Sequence, residues 1–317
     1  MISWINIAKG LGIIFIVYGH SYPPEVIYHF FYYFHIPLFF FISGYLFNKP
    51  QPSFIKFTIH KFKTLMIPFY VYGFFMTLLI YLLYYLKGSL SEEIAIHYLM
   101  GLINGKGSNL ANSDLWFLPS LFFTNLFAYI ILKKLDFKRY ILFELAIIFV
   151  FTSLTDRVGN SVYSITTVPP ALFFFIMGYL YKEREFEINS FKYLTLYGGV
   201  VLAIFSFSYF FLHHTVDIGG NYYGKSIILL FLNGLLGTLL IIFISKKIKS
   251  NSFLEYIGTI SLYIFIFHQI FVPITDIINN LFGIEKYFLI IGTVKLIGSI
   301  ILYQIFVKPL KKRFRYL

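Results

Sequence analysis

Long apolar stretches alternate with short polar ones along the chain, at approximately 4–22, 27–47, 65–86, 115–132, 140–154, 168–181, 192–212, 226–245, 253–273 and 287–307. A helix needs roughly 20 mostly apolar residues to cross the hydrocarbon core of a bilayer. All ten stretches have a composition suited to that, although the fifth and sixth are short for a crossing. The pattern predicts an all-α integral membrane protein of about ten transmembrane helices, forming one domain over 1–317. No internal repeat, linker or soluble appendage interrupts it. The N-terminal stretch has no basic leader and no small-residue cleavage site after it, so it reads as a retained span. The stretch 87–114, rich in Gly, Asn and Ser, is the longest between spans and is suited to a lid or an interfacial helix.

Composition sharpens this picture. Hydrophobic residues make up 58% of the chain and charged ones only 13%, with 41 Phe and 27 Tyr. A soluble domain carries about a quarter charged residues, so most of this surface is not aqueous. The chain has no cysteine, which excludes a disulfide framework, a cysteine-rich metal site and a thiol that could carry an acyl group. No other pattern suggests a metal.

Charge gives a sidedness. Of the 26 Lys and Arg, 19 fall in the stretches around 49–63, 133–139, 182–192, 246–249 and 308–315. Only five (Lys87, Lys106, Arg157, Lys225 and Lys286) fall in the alternate ones. Cytoplasmic loops carry the excess of basic residues, so both termini are expected in the cytoplasm. The net charge of +12 follows from this topology. Because it is split among separate short loops, it gives no support to nucleic-acid binding.

The two remaining lysines, Lys9 and Lys295, lie inside spans, as do several histidines. Ionisable groups at membrane depth are expensive and usually face the protein interior. In "NIAKGLGIIFIVYGHSY", Lys9 and His20 are eleven residues apart, which is three helical turns plus only about 20°. Both therefore lie on one stripe, roughly 16 Å apart. The alternative is that each group merely reaches toward its nearer interface. In "FHIPLFFFISGYLF", His35 sits two residues before Pro37, which frees a carbonyl and should bend the helix there. A structural histidine bonded to freed backbone competes with a catalytic one. Ser43 and Gly44 suit close helix packing. Ser261 and His268, seven residues apart, share a face of the ninth span. Lys295 has apolar neighbours on both sides and needs a partner or a wet cavity; Glu144 is one candidate.

These residues resemble the membrane-bound acyltransferase-3 family, in particular its branch that looks like fucose 4-O-acetylases. The resemblance rests on "AKGLGIIFIVYGH", "FHIPLFFFISGYLF", "LWFLPSLFF" around Trp116, "PPALFFFIMGYLY" from Pro169 and "LEYIGTISLYIFIFHQ". The family's pattern of a basic residue, a ten-residue gap and a histidine falls on Lys9 and His20, with Lys in place of the commoner Arg. Where many relatives carry Arg-x-x-Arg in the first cytoplasmic loop, this chain reads "HKFKTLMIPFY", with His60, Lys61 and Lys63. The charge is kept and the bidentate geometry is lost.

The resemblance implies an O-acetyltransferase of the bacterial cytoplasmic membrane, inner or sole. Its donor would be acetyl-CoA and its acceptor a cell-envelope or capsular glycan, with a polyprenyl-linked form among the candidates. His20 would act as general base or acyl relay, with Glu25 as its orienting acid and His35 as a further catalytic candidate. Lys9, Lys61, Lys63 and Trp116 would bind the coenzyme, the lysines as point charges on phosphate. Ser261, His268 and Lys295 would lie on the acceptor side. A transporter that moves a glycan or acyl donor without bond chemistry is the competing class, although two related halves, common in transporters, are not found. An idle accessory subunit of polysaccharide export is a third. Oligomeric state is not legible.

Overall fold

A chain immersed in hydrocarbon has to satisfy its backbone polar groups internally, and a helix does so within one segment. The computed structural model describes residues 3–48, 53–134, 137–183, 190–273, 275 and 287–311, and among them the chain is helical with no strand. The basic residues Lys49, Arg184, Lys286, Lys312, Arg313 and Arg315 lie outside the described residues, as does most of the "KEREFE" run at 182–187.

Seven helical segments among the described residues are long and apolar enough to cross a membrane: Glu25–Tyr45, Phe54–Leu86, Ser113–Leu132, Val162–Glu183, Phe191–Phe211, Ile227–Ile248 and Phe288–Leu310. An eighth crossing arises if Ser252–Thr259 and Ser261–Phe271, bent by 66° against each other, form one broken span. The other two expected stretches are the shorter apolar helices Ser3–Gly19 and Tyr140–Thr155. Helix α1 (Ser3–Gly19) stops three residues before the apolar stretch does. The cause is Pro23 and Pro24, which have no N–H to bond the Gly19 and His20 carbonyls, so the helix cannot continue through them. By contrast α2 (Glu25–Tyr45) runs unbroken through Pro37.

The helices fall into two compact sets. One comprises residues 1–47, 174–217 and 223–308; the other comprises 48–173, 218–222 and 309–317.

In the first set, α1 is the central element. It packs along α2, along α10 (Ile227–Ile248), and against α11 (Ser252–Thr259), α12 (Ser261–Phe267) and α13 (Phe288–Leu302). Close packing depends on glycine at two crossings. A Cβ on Gly258 would overlap the Asn6 carbonyl oxygen, and one on Gly10 would overlap that of Leu254, so α1 and α11 touch backbone to backbone. Gly44 of α2 and Gly178 of α8 (Val168–Glu183) do the same against the carbonyls of Phe175 and Phe41. This is the small-residue contact expected of Gly44. Gly178→Ala should lower stability by about 1–3 kcal/mol through overpacking, measured as a lower unfolding midpoint in detergent. An unchanged midpoint would mean that these helices can separate freely.

Residues 212–217 and 223–226 also belong to this set. His214 is fully buried, with its backbone N–H donating to the Ser208 carbonyl at 2.9 Å and its carbonyl accepting from the Tyr33 hydroxyl at 2.5 Å. The Lys225 N–H donates to its Nδ1 at 3.2 Å, so the ring is neutral with its proton on Nε2. Nε2 has no hydrogen-bond partner among the described residues. Burial pushes the His214 pKa from 6.5 down to about 4. The unfolded chain thus binds the proton first. The stability that the neutral ring contributes is complete above about pH 6.5 and is lost as pH falls toward 4, by up to about 3 kcal/mol. Thermal unfolding of the wild type should therefore weaken more between pH 7 and 4.5 than that of His214→Gln. Parallel pH curves would contradict this.

The second set is built on α3 (Phe54–Lys61), which continues through a π-helical turn, Phe62–Met66, into α4 (Ile67–Leu86). These pack with α6 (Phe117–Lys134). Helix α5 (Glu92–Asn104) occupies the expected lid or interfacial stretch. Ser91 caps it by accepting from the Ile94 N–H, Glu92 and Glu93 fill its first turn, and Gly105 ends it at φ 62°. It rests on α4 through the Tyr81 hydroxyl, which donates to the Ala95 carbonyl. Its outer stripe of Ile96, Leu99, Met100 and Ile103 is exposed.

Candidate functional site

Three ionisable residues of the first set, His20, His268 and Lys295, meet at the end of α1. His20 follows the last residue of that helix and still closes a helical bond, its N–H donating to the Ile16 carbonyl at 3.0 Å. Its ring meets residues from two other elements. His268, just past α12, places Nε2 at 2.9 Å from His20 Nδ1, and Tyr32, on α2, places its hydroxyl at 3.0 Å from His20 Nε2. Gln269 adds its amide nitrogen at 3.2 Å from His20 Nδ1 and 3.4 Å from His268 Nε2. The two imidazoles lie nearly parallel, with centroids 5.2 Å apart.

One set of tautomers satisfies the contacts of His20 with His268 and Tyr32. His268 Nδ1 lies 2.7 Å from the Phe265 carbonyl, and a carbonyl only accepts, so Nδ1 carries a hydrogen. In the neutral ring Nε2 is then an acceptor, and His20 Nδ1–H donates to it. That leaves the lone pair of His20 on Nε2, where the Tyr32 hydroxyl donates. One histidine thus fixes the tautomer of the other and aims its basic nitrogen away from the pair. This is the role a carboxylate plays in a hydrolase triad. His268 is fully buried, so its geometry is set by packing.

Tyr32 is held in turn from within α2. Its ring stacks on Tyr28 at 4.0 Å, and His35 meets it edge-on at 4.7 Å. His35 is buried and donates from Nδ1 to the Phe31 carbonyl at 2.6 Å. It therefore bonds backbone one turn before it, while also buttressing Tyr32.

Lys295 reaches the same place from α13. It is fully buried, donates from Nζ to the backbone carbonyl of His20 at 2.6 Å, and lies 5.6 Å from the centre of the Tyr22 ring. Glu144, considered above as its partner, is buried on α7 (Phe137–Thr155) with neither carboxylate oxygen hydrogen-bonded among the described residues.

The other expected site residues are distributed as follows. Glu25 opens α2, with its carboxylate 3.8 Å from His29 Nε2 and its side chain 77% exposed. The contact at His20 Nδ1 is made by His268. Lys9 is half-buried on α1, and Ser261 is buried at the start of α12, beside the bend at Ile260. Lys61, Lys63 and Trp116 belong to the second set. Lys61 sits over Phe57 at 5.5 Å, Lys63 is exposed in the π-helical turn, and Trp116 packs against Gly219.

Tyr32 and Gln269 are additions to the residues expected from sequence. Tyr32 carries a signal, since it follows Tyr28 by four residues and precedes His35 by three on one helical face. Gln269 carries only its adjacency to His268.

Chemically, the arrangement offers an imidazole nitrogen at the end of a buried helix, facing a hydroxyl, a geometry that can take up a proton. Neither the curated proteins nor the solved structures contain a match to this chain. A family model described as an acyltransferase domain matches residues 2–304, nearly the whole chain. The protein belongs to the acyltransferase-3 family.

Proposed function

We propose that this acyltransferase is an O-acetyltransferase that moves acetyl from cytosolic acetyl-CoA to a hydroxyl of a cell-envelope or capsular glycan, free or polyprenyl-linked. Its place would be the bacterial cytoplasmic membrane, with both termini inside, and its branch of the family the one that resembles fucose 4-O-acetylases. The observation that carries this reading is the 2.9 Å contact between His20 Nδ1 and His268 Nε2, because acyl transfer to a sugar needs a base for a hydroxyl that is a poor nucleophile at neutral pH.

In this reaction the acceptor hydroxyl takes the place of the Tyr32 phenol on His20 Nε2. The hydroxyl gives its proton to Nε2 as its oxygen bonds to the thioester carbonyl carbon. The imidazolium so formed is held by His268 through Nδ1–H. The carbon–sulfur bond then breaks, and the departing thiolate recovers the proton from Nε2, leaving free coenzyme A and the O-acetyl ester. Lys9, Lys61 and Lys63 supply positive charge for the coenzyme phosphates.

The test compares envelope glycans from cells with the intact protein, without it, and with His20→Ala. Mass spectrometry should find an increment of about 42 mass units in the first only, the mass of one acetyl group, with polymer amount unchanged. Equal acetylation in all three strains with loss of surface polymer would instead make the protein a transporter.

A further inference from the structure

We infer that Lys295 is a positioning residue that latches the end of α1 and thereby holds the His20 ring on His268. The inference rests on the reading of His20 as the base.

A helix leaves its last carbonyls without intrahelical partners, and His20 lies where α1 runs out. Lys295 donates to its carbonyl at 2.6 Å. An ammonium is the favoured group at such a site, since it satisfies the orphan acceptor and complements the negative end of the helix dipole. The segment beyond is under strain, because Tyr22 adopts φ 58°, a left-handed conformation rarely taken by a bulky residue. Its ring lies 5.6 Å from the Lys295 ammonium, a contact that favours this conformation. Two further contacts join the last turn of α1 to α13. The Tyr18 ring lies over Gly292, and its hydroxyl bonds to Thr293 Oγ1 at 2.8 Å. The buried stripe of α13 is Ile291, Gly292, Lys295, Leu296 and Ser299, so Lys295 faces α1 from the middle of the packed surface.

Full burial also argues against the acceptor-side role expected from sequence. An ammonium with no exposed surface has none to offer a ligand while it holds the His20 carbonyl. What it can do is decide where His20 sits. Displacing a catalytic group by about 1 Å can cost about a hundredfold in rate.

The test uses the full-length protein in detergent and reads His20 directly, by its rate of modification with diethyl pyrocarbonate measured on its peptide by mass spectrometry. Buried His214 serves as a sentinel for unfolding. Lys295→Met should raise the His20 rate about tenfold, the worth of a lost charged hydrogen bond, while His214 stays protected. It should also lower kcat about a hundredfold with little change in KM for acetyl-CoA. Lys295→Arg, which keeps a donor, should recover part of both. If His214 is exposed as well, Tyr22→Leu, which removes the ring contact and leaves Lys295 in place, carries the same test with a smaller rise. An unchanged His20 rate in folded Lys295→Met, or in Tyr22→Leu should that variant be needed, overturns the latch and leaves the base intact. Undiminished transfer by His20→Ala overturns the base itself.

Discussion

His20→Ala is expected to slow acetyl transfer by about 10²–10⁴, the range a positioned base contributes, with KM for acetyl-CoA little changed. The proton of the acceptor hydroxyl has to go somewhere as the ester forms, and Nε2 of His20 is the nitrogen that the network leaves with a lone pair. The Tyr32 hydroxyl lies 3.0 Å from that nitrogen. The loss should fall on kcat, because the base acts in the transition state and holds no part of the coenzyme. Tyr32→Phe, which removes the phenol from Nε2 but keeps the ring, should leave far more activity than His20→Ala. Steady-state kinetics in proteoliposomes would read both. A His20→Ala enzyme with near-normal kcat would exclude base catalysis at this position.

The second large effect is at His268. Its Nδ1–H is tied to the Phe265 carbonyl and its Nε2 accepts from His20, so His268→Ala removes the acceptor that fixes the tautomer. His20 can then hold its proton on either nitrogen, and the imidazolium formed during transfer loses its partner. A loss of about 10²–10³ is expected, within the range of general acid–base contributions. His268→Gln supplies an amide oxygen that can accept from Nδ1–H and should retain roughly tenfold more activity than His268→Ala, the worth of about one hydrogen bond. The double replacement with His20→Ala should be little worse than His20→Ala alone, since residues that act as one unit do not add. Additive losses would mean that His268 works separately from His20.

Much of the helical plan could be read from the chain. Apolar length located every long helix, because a bilayer sets a minimum that short core helices do not reach. Where length misled, one cause is local and the other is not. Pro23 and Pro24 end α1 before its apolar run ends. The stretch 253–273 breaks into two helices at Ile260, where Gly258 is pressed against the Asn6 carbonyl. That contact joins residues far apart in the chain and leaves no local mark.

The site divides in the same way. Helical spacing put Lys9 and His20 on one stripe, and Ser261 and His268 on one face, since periodicity depends only on neighbours in sequence. It could not say that the second face meets the first, across 248 residues. The partner of Lys295 was hidden for another reason. A search among acidic side chains looks for carboxylates, and the acceptor is a backbone carbonyl, which every residue has. Likewise Glu25 is the acid nearest His20 in sequence among the residues that follow it, yet α2 turns it toward His29.

The most direct measurement follows labelled acetyl from acetyl-CoA supplied on the cytoplasmic side of sealed membrane vesicles, using wild-type and His20→Ala protein at equal abundance. The account predicts that label accumulates in acid-stable, base-labile esters on glycan with the wild type and stays at background with His20→Ala. Equal labelling of glycan by the two proteins would contradict it.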